Sequence, residues 1–212
     1  MLQNKCIRGL YGITPEHVPA TILETAVAEA LAGGMCVLQY RAKSLPDEAK
    51  RKQAQRIFAM CRKADVPFLV NDDLALAVEI GADGVHLGRE DATLSSARRA
   101  LGHNKIIGVS CYNDLSLASH AANGGADYIA FGSFFPSATK PTAVRADPSL
   151  IVQARQRFNV PIVAIGGVTL ENAPQLIAAG ADALAVISDL FGTSDVRARA
   201  SHYQTLFDTH VR

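Results

Sequence analysis

Gly81-Ala82-Asp83-Gly84-Val85-His86-Leu87-Gly88 holds the pattern on which the fold turns. A glycine that suits the left-handed position after a helix is followed by Ala-Asp and a short apolar run. The same opening recurs at Gly125-Ala126-Asp127 and Gly180-Ala181-Asp182, each time before an apolar strand. Three repeats of helix, Gly-Ala-Asp and strand argue for a repeated βα architecture, although the tripeptide carries no chemistry by itself.

The pattern extends along the chain. Apolar runs predict strands near 8–13, 35–41, 67–71, 84–87, 106–110, 127–131, 161–165 and 183–187. Amphipathic stretches predict helices near 19–32, 46–64, 73–80, 93–101, 114–123, 148–157, 170–179 and 195–208. Strands that alternate with helices pair in parallel, because each return needs a crossover. Pro46, Pro148 and Pro174 fall near helix starts, where a missing N–H costs nothing. Pro67 and Pro161 open strands, a tolerated position. The expected fold is an α/β (βα)8 TIM barrel, read as one catalytic domain over residues 1–212. Such barrels run from about 200 residues upward, so loops here should be short. The exception is the loop from Gly132 to Asp147, and irregular pieces of about 15 residues are more often functional than idle.

Composition narrows the function. With 212 residues, 49% hydrophobic content and a net charge of +1, the chain has no basic field for nucleic acid and no acidic tail. No run approaches a membrane span. Four cysteines without a Cys-x-x-Cys pair predict a reduced, cytoplasmic protein. Small-molecule substrates are the expected partners, and assembly into a homo-oligomer is compatible with the sequence.

The strand ends carry the chemistry. Asn71-Asp72 and Asp91 follow two consecutive strands and should converge on one rim. Two carboxylates and an amide oxygen suit Mg2+, which shares its shell with waters and substrate phosphates. Capping of the next helix by Asp72 or Asp73 is the competing explanation. In Gln39-Tyr40-Arg41-Ala42-Lys43, the alternate residues Gln39, Arg41 and Lys43 share one face of an extended strand. Arg41 can grip a phosphate with two parallel bonds and Lys43 adds a point charge, unless this is only an exposed strand tip. Lys140, after Thr139 on the long loop, could close over the same phosphates or be a solvated lysine.

Gly166-Gly167 follows the seventh strand, where barrels commonly bind phosphate through backbone N–H groups. Ile187-Ser188 would form the opposing wall, while a tight turn explains the glycines equally well. His86, inside a strand, is either a satisfied core histidine or a site residue. Cys111 has no sequence partner that would make it a nucleophile. Ser110 lacks a Ser-His-Asp context and suits a hydrogen bond to substrate.

Taken in order, these motifs resemble the thiamine phosphate synthase family from about Gly9 to Phe191. The carrying motifs are Gln39-Tyr40-Arg41-Ala42-Lys43, Asn71-Asp72, Gly81 to Gly88 with Asp91, Gly108-Val109-Ser110, Phe135 to Lys140, Ile165-Gly166-Gly167-Val168 and Ile187-Ser188. The resemblance implies a TIM-barrel transferase that joins a pyrimidine diphosphate to a thiazole monophosphate. It assigns Gln39, Tyr40, Arg41, Ala42, Lys43 and Asn71 to the diphosphate substrate, and Asp72 and Asp91 to Mg2+. Ser110 would face the pyrimidine, and Lys140 would neutralise the departing diphosphate. Ser137, Ala138 and Thr139 would border the thiazole, with Gly167, Ile187 and Ser188 on its phosphate. Arg41, Ser110 and Lys140 are the expected catalytic residues.

Two positions depart from the family pattern. Ser137 stands where threonine is common, and a hydroxyl is kept. Tyr112 stands where the sister thiazole tautomerase is expected to carry histidine, and the diphosphate and metal set is intact. Tyr112 and the intact set count against an isomerase. The same set argues against a silent barrel that merely binds thiazole or thiamine phosphate, because binding alone needs no clamp on a leaving group.

Overall fold

The computed structural model describes residues 7–137 and 144–209. The elements, in chain order, are β1 (Gly9–Ile13), α1 (Ala20–Ala32), β2 (Val37–Tyr40), α2 (Asp47–Lys63), β3 (Phe68–Asn71) and α3 (Leu74–Ile80). Then come β4 (Gly84–Leu87), α4 (Leu94–Leu101), β5 (Ile106–Tyr112), α5 (Leu115–Asn123), β6 (Tyr128–Phe131) and α6 (Ser149–Arg155). The chain finishes with β7 (Ile162–Ile165), α7 (Ala173–Ala179), β8 (Ala183–Val186), α8 (Ser188–Phe191) and α9 (Val196–Asp208). Each strand lies parallel to its neighbours in chain order, and β1 also pairs with β8, so the sheet closes into the expected (βα)8 barrel. No helix among the described residues is long and apolar enough to cross a membrane.

Alternation along each strand divides the core in two. Outward residues such as Leu38, Phe68, Val85, Ile129 and Leu184 meet Val27, Ile57, Leu76, Ile151 and Leu176 of the helices. Inward residues, among them Tyr11, Val37, Leu69, Tyr128, Val163 and Ala183, fill the barrel. Each fully buried Leu, Val, Ile or Phe contributes about 1.5–3 kcal/mol, so the outer seam carries much of the stability.

Several boundaries differ from the sequence reading. β5 runs on to Tyr112, with a register shift between Ser110 and Tyr112. α7 starts at Ala173 rather than near 170, because Thr169 N donates to Asn172 Oδ1 and Asn172 Nδ2 donates to Gly167 O. That side-chain-bonded turn occupies residues 169–172. α6 closes at Arg155, short of the expected 157. The four-residue α8 was not foreseen at all; it begins directly after the end of β8.

The Gly-Ala-Asp repeats have a structural explanation. Their glycines sit at φ of 68°, 86° and 116°, a region open to glycine and costly for other residues. Their aspartates reach back to the preceding strand. Asp83 Oδ2 accepts from Phe68 N (2.9 Å), Asp127 Oδ2 from Ile107 N (2.7 Å) and Asp182 Oδ2 from Ile162 N (2.7 Å). Each hook thus ties an even-numbered strand to the odd-numbered one before it. Basic side chains from elsewhere then cover the glycine carbonyls: Lys105 on Gly81 O, Arg98 on Gly125 O and Arg155 on Gly180 O, each at 3.0 Å. All of this lies at the N-terminal end of the strands, the end that stabilises such barrels. An Asp83→Ala variant, which strands the buried Phe68 amide, should lose about 1–3 kcal/mol. Urea unfolding should show the loss as a lower midpoint with an unchanged m-value.

Candidate active site

The C-terminal ends of the strands carry most of the described residues that the sequence singles out. On β2, Gln39 points into the barrel and Arg41 and Lys43 follow at its tip. Arg41 is fixed through its backbone: its N–H donates to Thr14 Oγ1 (2.7 Å), and that hydroxyl donates to Arg41 O (3.0 Å). Its guanidinium pairs with Glu16 Oε1 at 3.1 Å, and the same oxygen accepts from Lys43 N at 2.8 Å. Thr14 and Glu16 were missed by sequence reasoning. The signal was available, since Thr14-Pro15-Glu16 follows the first apolar run as the other polar tips follow theirs.

Tyr40 lies differently from its neighbours. It faces outward, stacks on Phe68 at 5.9 Å between ring centroids, and donates to Gln53 Oε1 of α2 at 2.8 Å. Tyr40 also lines an open cavity, together with Val70 and Asp73. That cavity, of about 380 Å³, begins at Ala42, Lys43, Asn71 and Asp72 and extends past Lys50 to Leu76.

The capping question at Asn71-Asp72-Asp73 resolves by residue. Asp73 caps α3, accepting from Leu76 N at 3.0 Å. Asp72 adopts a left-handed φ of 63°, which costs a non-glycine residue on the order of 1 kcal/mol or more. Its carboxylate instead meets Lys43 Nζ at 2.7 Å and comes within hydrogen-bonding reach of Asp91. Asp91 also accepts from Gly88 N. Burial pushes the Asp72 carboxyl upward, but Lys43 and the bond to Asp91 outweigh it and hold it below the ordinary carboxylate range. Burial and then the adjoining Asp72 raise Asp91. Two carboxylates pressed together in this way form a site that a cation would relieve. Among the described residues no group of three or more His, Cys, Asp or Glu gathers.

Across the mouth, the Gly166-Gly167 turn packs against the start of the long loop. Phe134 N donates to Ile165 O (3.1 Å) and Phe135 N to Gly166 O (2.9 Å). A Cβ on Gly166 would lie 2.0 Å from Ser133 Oγ, and one on Gly167 would lie 2.2 Å from Pro136 O. Both glycines have positive φ, 102° and 63°. Close approach and backbone angle therefore each demand glycine. Ile187 and Ser188 stand at the start of α8. That helix is held by Asp189, which accepts from Arg199 Nη1 (2.9 and 3.1 Å) and from Tyr203 Oη (2.7 Å) of α9.

Ser110, on β5, lies 2.8 Å from His86 Nε2 of β4. Just beyond it, Tyr112 takes φ of 54°, accepts from Arg89 N at 3.3 Å and carries the Arg89 guanidinium 5.0 Å above its ring. Cys111 is buried, and desolvation pushes its thiol up to about 12, so it is inert as a nucleophile. Ser137 is described, on the segment beside Gly167; Ala138, Thr139 and Lys140 lie outside the described residues.

The chain is similar to known proteins over most of its length. The family profile of thiamine monophosphate synthase matches residues 10–190. A thiamine-phosphate synthase of Aromatoleum aromaticum is 54% identical, over 95% of this chain and 97% of its own length. That of Nitrosospira multiformis is 52% identical, over 95% and 86%. The solved structure of a thiamine phosphate pyrophosphorylase from Pyrococcus furiosus superposes with a TM-score of 0.87 at 31% identity, covering 99% of this chain and all of that one. The chain belongs to the thiamine monophosphate synthase family and is a transferase.

A Gly166→Ala substitution tests the packing of the mouth. It should cost about 2 kcal/mol or more, through strain at positive φ and collision with Ser133. Thermal unfolding would register the cost as a Tm several degrees lower.

Proposed function

We propose, with family membership as the premise, that this chain joins 4-amino-5-hydroxymethyl-2-methylpyrimidine diphosphate to a thiazole monophosphate. The products are thiamine monophosphate and diphosphate, and the substitution is dissociative and assisted by Mg2+. The observation that carries this reading is the convergence of Asp72 and Asp91 beside Lys43 and Arg41, on the same rim as the Gly166-Gly167 turn.

The donor set fits Mg2+. Two hard carboxylates suit an ion that completes its shell with waters and phosphate oxygens. Asp72 and Asp91 would hold it. When bound, it supplies positive charge to the diphosphate oxygens.

The chain's own residues would do the rest. Arg41 and Lys43 face the diphosphate, and charge grows there as the carbon–oxygen bond lengthens. Thr14 fixes the backbone of Arg41 at the rim, which lessens the reorganisation needed to stabilise that charge. Arg41 and Lys43 are each paired with a carboxylate, so substrate phosphate would take over from protein as their partner. Lys140 would add charge from the long loop. With the diphosphate leaving, the pyrimidine methylene becomes a cation stabilised by the ring amino group, and the thiazole nitrogen attacks it. Gln39, Asn71 and Ser110 would orient the pyrimidine. Ala42 lines the cavity that begins at Lys43 and Asn71, Ser137, Ala138 and Thr139 border the thiazole, and Gly167, Ile187 and Ser188 bind its phosphate. Holding both reactants converts a bimolecular encounter into a step within one complex. No side-chain nucleophile is needed, in keeping with the raised Cys111 thiol.

The test is diphosphate release from the pyrimidine diphosphate, with and without thiazole phosphate and Mg2+. Release should require both and should match thiamine monophosphate formed, one for one. Removal of divalent ions by a chelator should abolish it, and Asp72→Ala or Asp91→Ala should lower kcat at least a hundredfold (about 2.7 kcal/mol). Full Mg2+-dependent turnover in either variant would refute the metal assignment.

A further inference from the structure

Inside the barrel, residues from five strands form one hydrogen-bonded line. Gln39 Nε2 donates to Tyr11 Oη at 2.8 Å, and Tyr11 Oη lies 2.7 Å from Tyr128 Oη. Tyr128 Oη lies 2.8 Å from His86 Nδ1, and His86 Nε2 lies 2.8 Å from Ser110 Oγ. The line runs from β2 through β1, β6 and β4 to β5, and it surfaces at the mouth. Both tyrosines are fully buried, and His86 is only 8% exposed.

The packing holds this line rigidly. The His86 ring stacks on Tyr128, with centroids 5.6 Å apart and planes at 23°. Tyr11 meets Tyr128 edge-on at 5.9 Å. Across from Tyr128, a Cβ on Gly108 would lie 1.9 Å from the phenol's Cζ. The ring therefore fits only because position 108 is glycine.

A neutral line of this kind has a direction, because each phenol owns one hydrogen and a neutral imidazole owns one. The Gln39 amide nitrogen gives its hydrogen to Tyr11, so Tyr11 gives its own to Tyr128. Tyr128 gives its hydrogen to His86 Nδ1. The imidazole then carries its hydrogen on Nε2 and donates it to Ser110 Oγ. Ser110 accepts from behind, and its hydroxyl hydrogen is left to point into the mouth. Reversing the line would require the Gln39 amide oxygen, not its nitrogen, to face Tyr11. Burial raises both phenols above their ordinary range, so both hydrogens are present throughout neutral conditions.

We propose that Tyr128 and His86 are positioning residues, which fix the imidazole as its Nε2–H tautomer and so present Ser110 Oγ as a hydrogen-bond donor to an acceptor atom of the substrate's heteroaromatic ring. The tautomer rests on the hydrogen-bond geometry of a neutral imidazole, and the ring it serves rests on the synthase reading above. A second-layer bond of this sort sets the ring nitrogens' roles just as it does for histidines at metal centres.

The experiment is a long-range 1H–15N correlation spectrum of substrate-free protein labelled with 15N-histidine, at neutral pH. His86 is assigned by through-bond correlation from the backbone. Wild type should show His86 hydrogenated at Nε2 only. Tyr128→Phe, which removes one oxygen, should shift the ring to a tautomer mixture. Its kcat/KM for the pyrimidine diphosphate should fall about tenfold, with KM for thiazole phosphate unchanged. Tyr11→Phe cuts the tie to Gln39 that sets the direction of the line, so it too should loosen the tautomer, and it should lower kcat/KM for the pyrimidine diphosphate. Hydrogen at Nδ1, or on both nitrogens, in wild type would overturn the proposal. So would a Tyr128→Phe protein with the wild-type tautomer and rate. An Nε2–H ring in a wild type that makes no thiamine monophosphate would uphold the line and overturn only the substrate assigned to it.

Discussion

Closure of the sheet governs the rest of this molecule. With β1 paired to β8, the ring has no free edge and every strand can satisfy its backbone on both sides. Closure also fixes direction. All eight strands run the same way, so whatever follows an apolar run is delivered to one rim, and whatever precedes it to the other. The division of labour follows from this. Asp83, Asp127 and Asp182 stitch the N-terminal rim, while Arg41, Lys43, Asp72, Asp91 and Ser110 occupy or adjoin the C-terminal one.

The mouth is a problem in electrostatics. Isolated cations and carboxylates at strand tips would wander or repel. Here each is held by a neighbouring group. Thr14 brackets the backbone of Arg41, Glu16 holds its guanidinium, and Lys43 offsets Asp72 against Asp91. α9 performs the same service for α8, through Arg199 and Tyr203 on Asp189. Pairing within the protein keeps the charges in place; Lys43 is half-exposed, whereas Arg41 and Glu16 are largely shielded from water.

Much of this was legible in the sequence, and the gaps have a common cause. Apolar runs and the positive-φ glycines of Gly-Ala-Asp marked strand and helix limits to within about two residues over most of the chain. Asn71-Asp72 and Asp91 announced their convergence because consecutive strands neighbour each other in a barrel. The function of the Gly-Ala-Asp aspartates was not legible, because their partners are backbone amides 15 to 20 residues upstream. α8 escaped because four residues cannot display a helical period. Tyr40 was read with its neighbours, although strand alternation turns its side chain out toward α2. At Gly166-Gly167 the turn explanation is realised by packing against Ser133 and Pro136, and it does not compete with phosphate binding: the contacts that demand glycine also shape the wall.

The interior line from Gln39 to Ser110 shows why pairwise reading of a barrel fails. Residue by residue, Tyr11 and Tyr128 look like bulky filler and His86 looks like a satisfied core histidine. Each description is correct, and none is sufficient, because hydrogens in a dry core cannot be assigned singly. An unmade bond there leaves a desolvated donor or acceptor, at about 1–3 kcal/mol, so fixing one end of the line constrains the other. Gln39 at the β2 tip and Ser110 at the β5 tip are thereby linked across the barrel by side chains rather than by sheet. The glycine at 108 and the alanines at 130, 183 and 185 belong to that linkage, since they leave the space the two phenols fill. The interior of this barrel is thus packing and wiring at once, and the small residues that look least informative in the sequence are what allow it to be both.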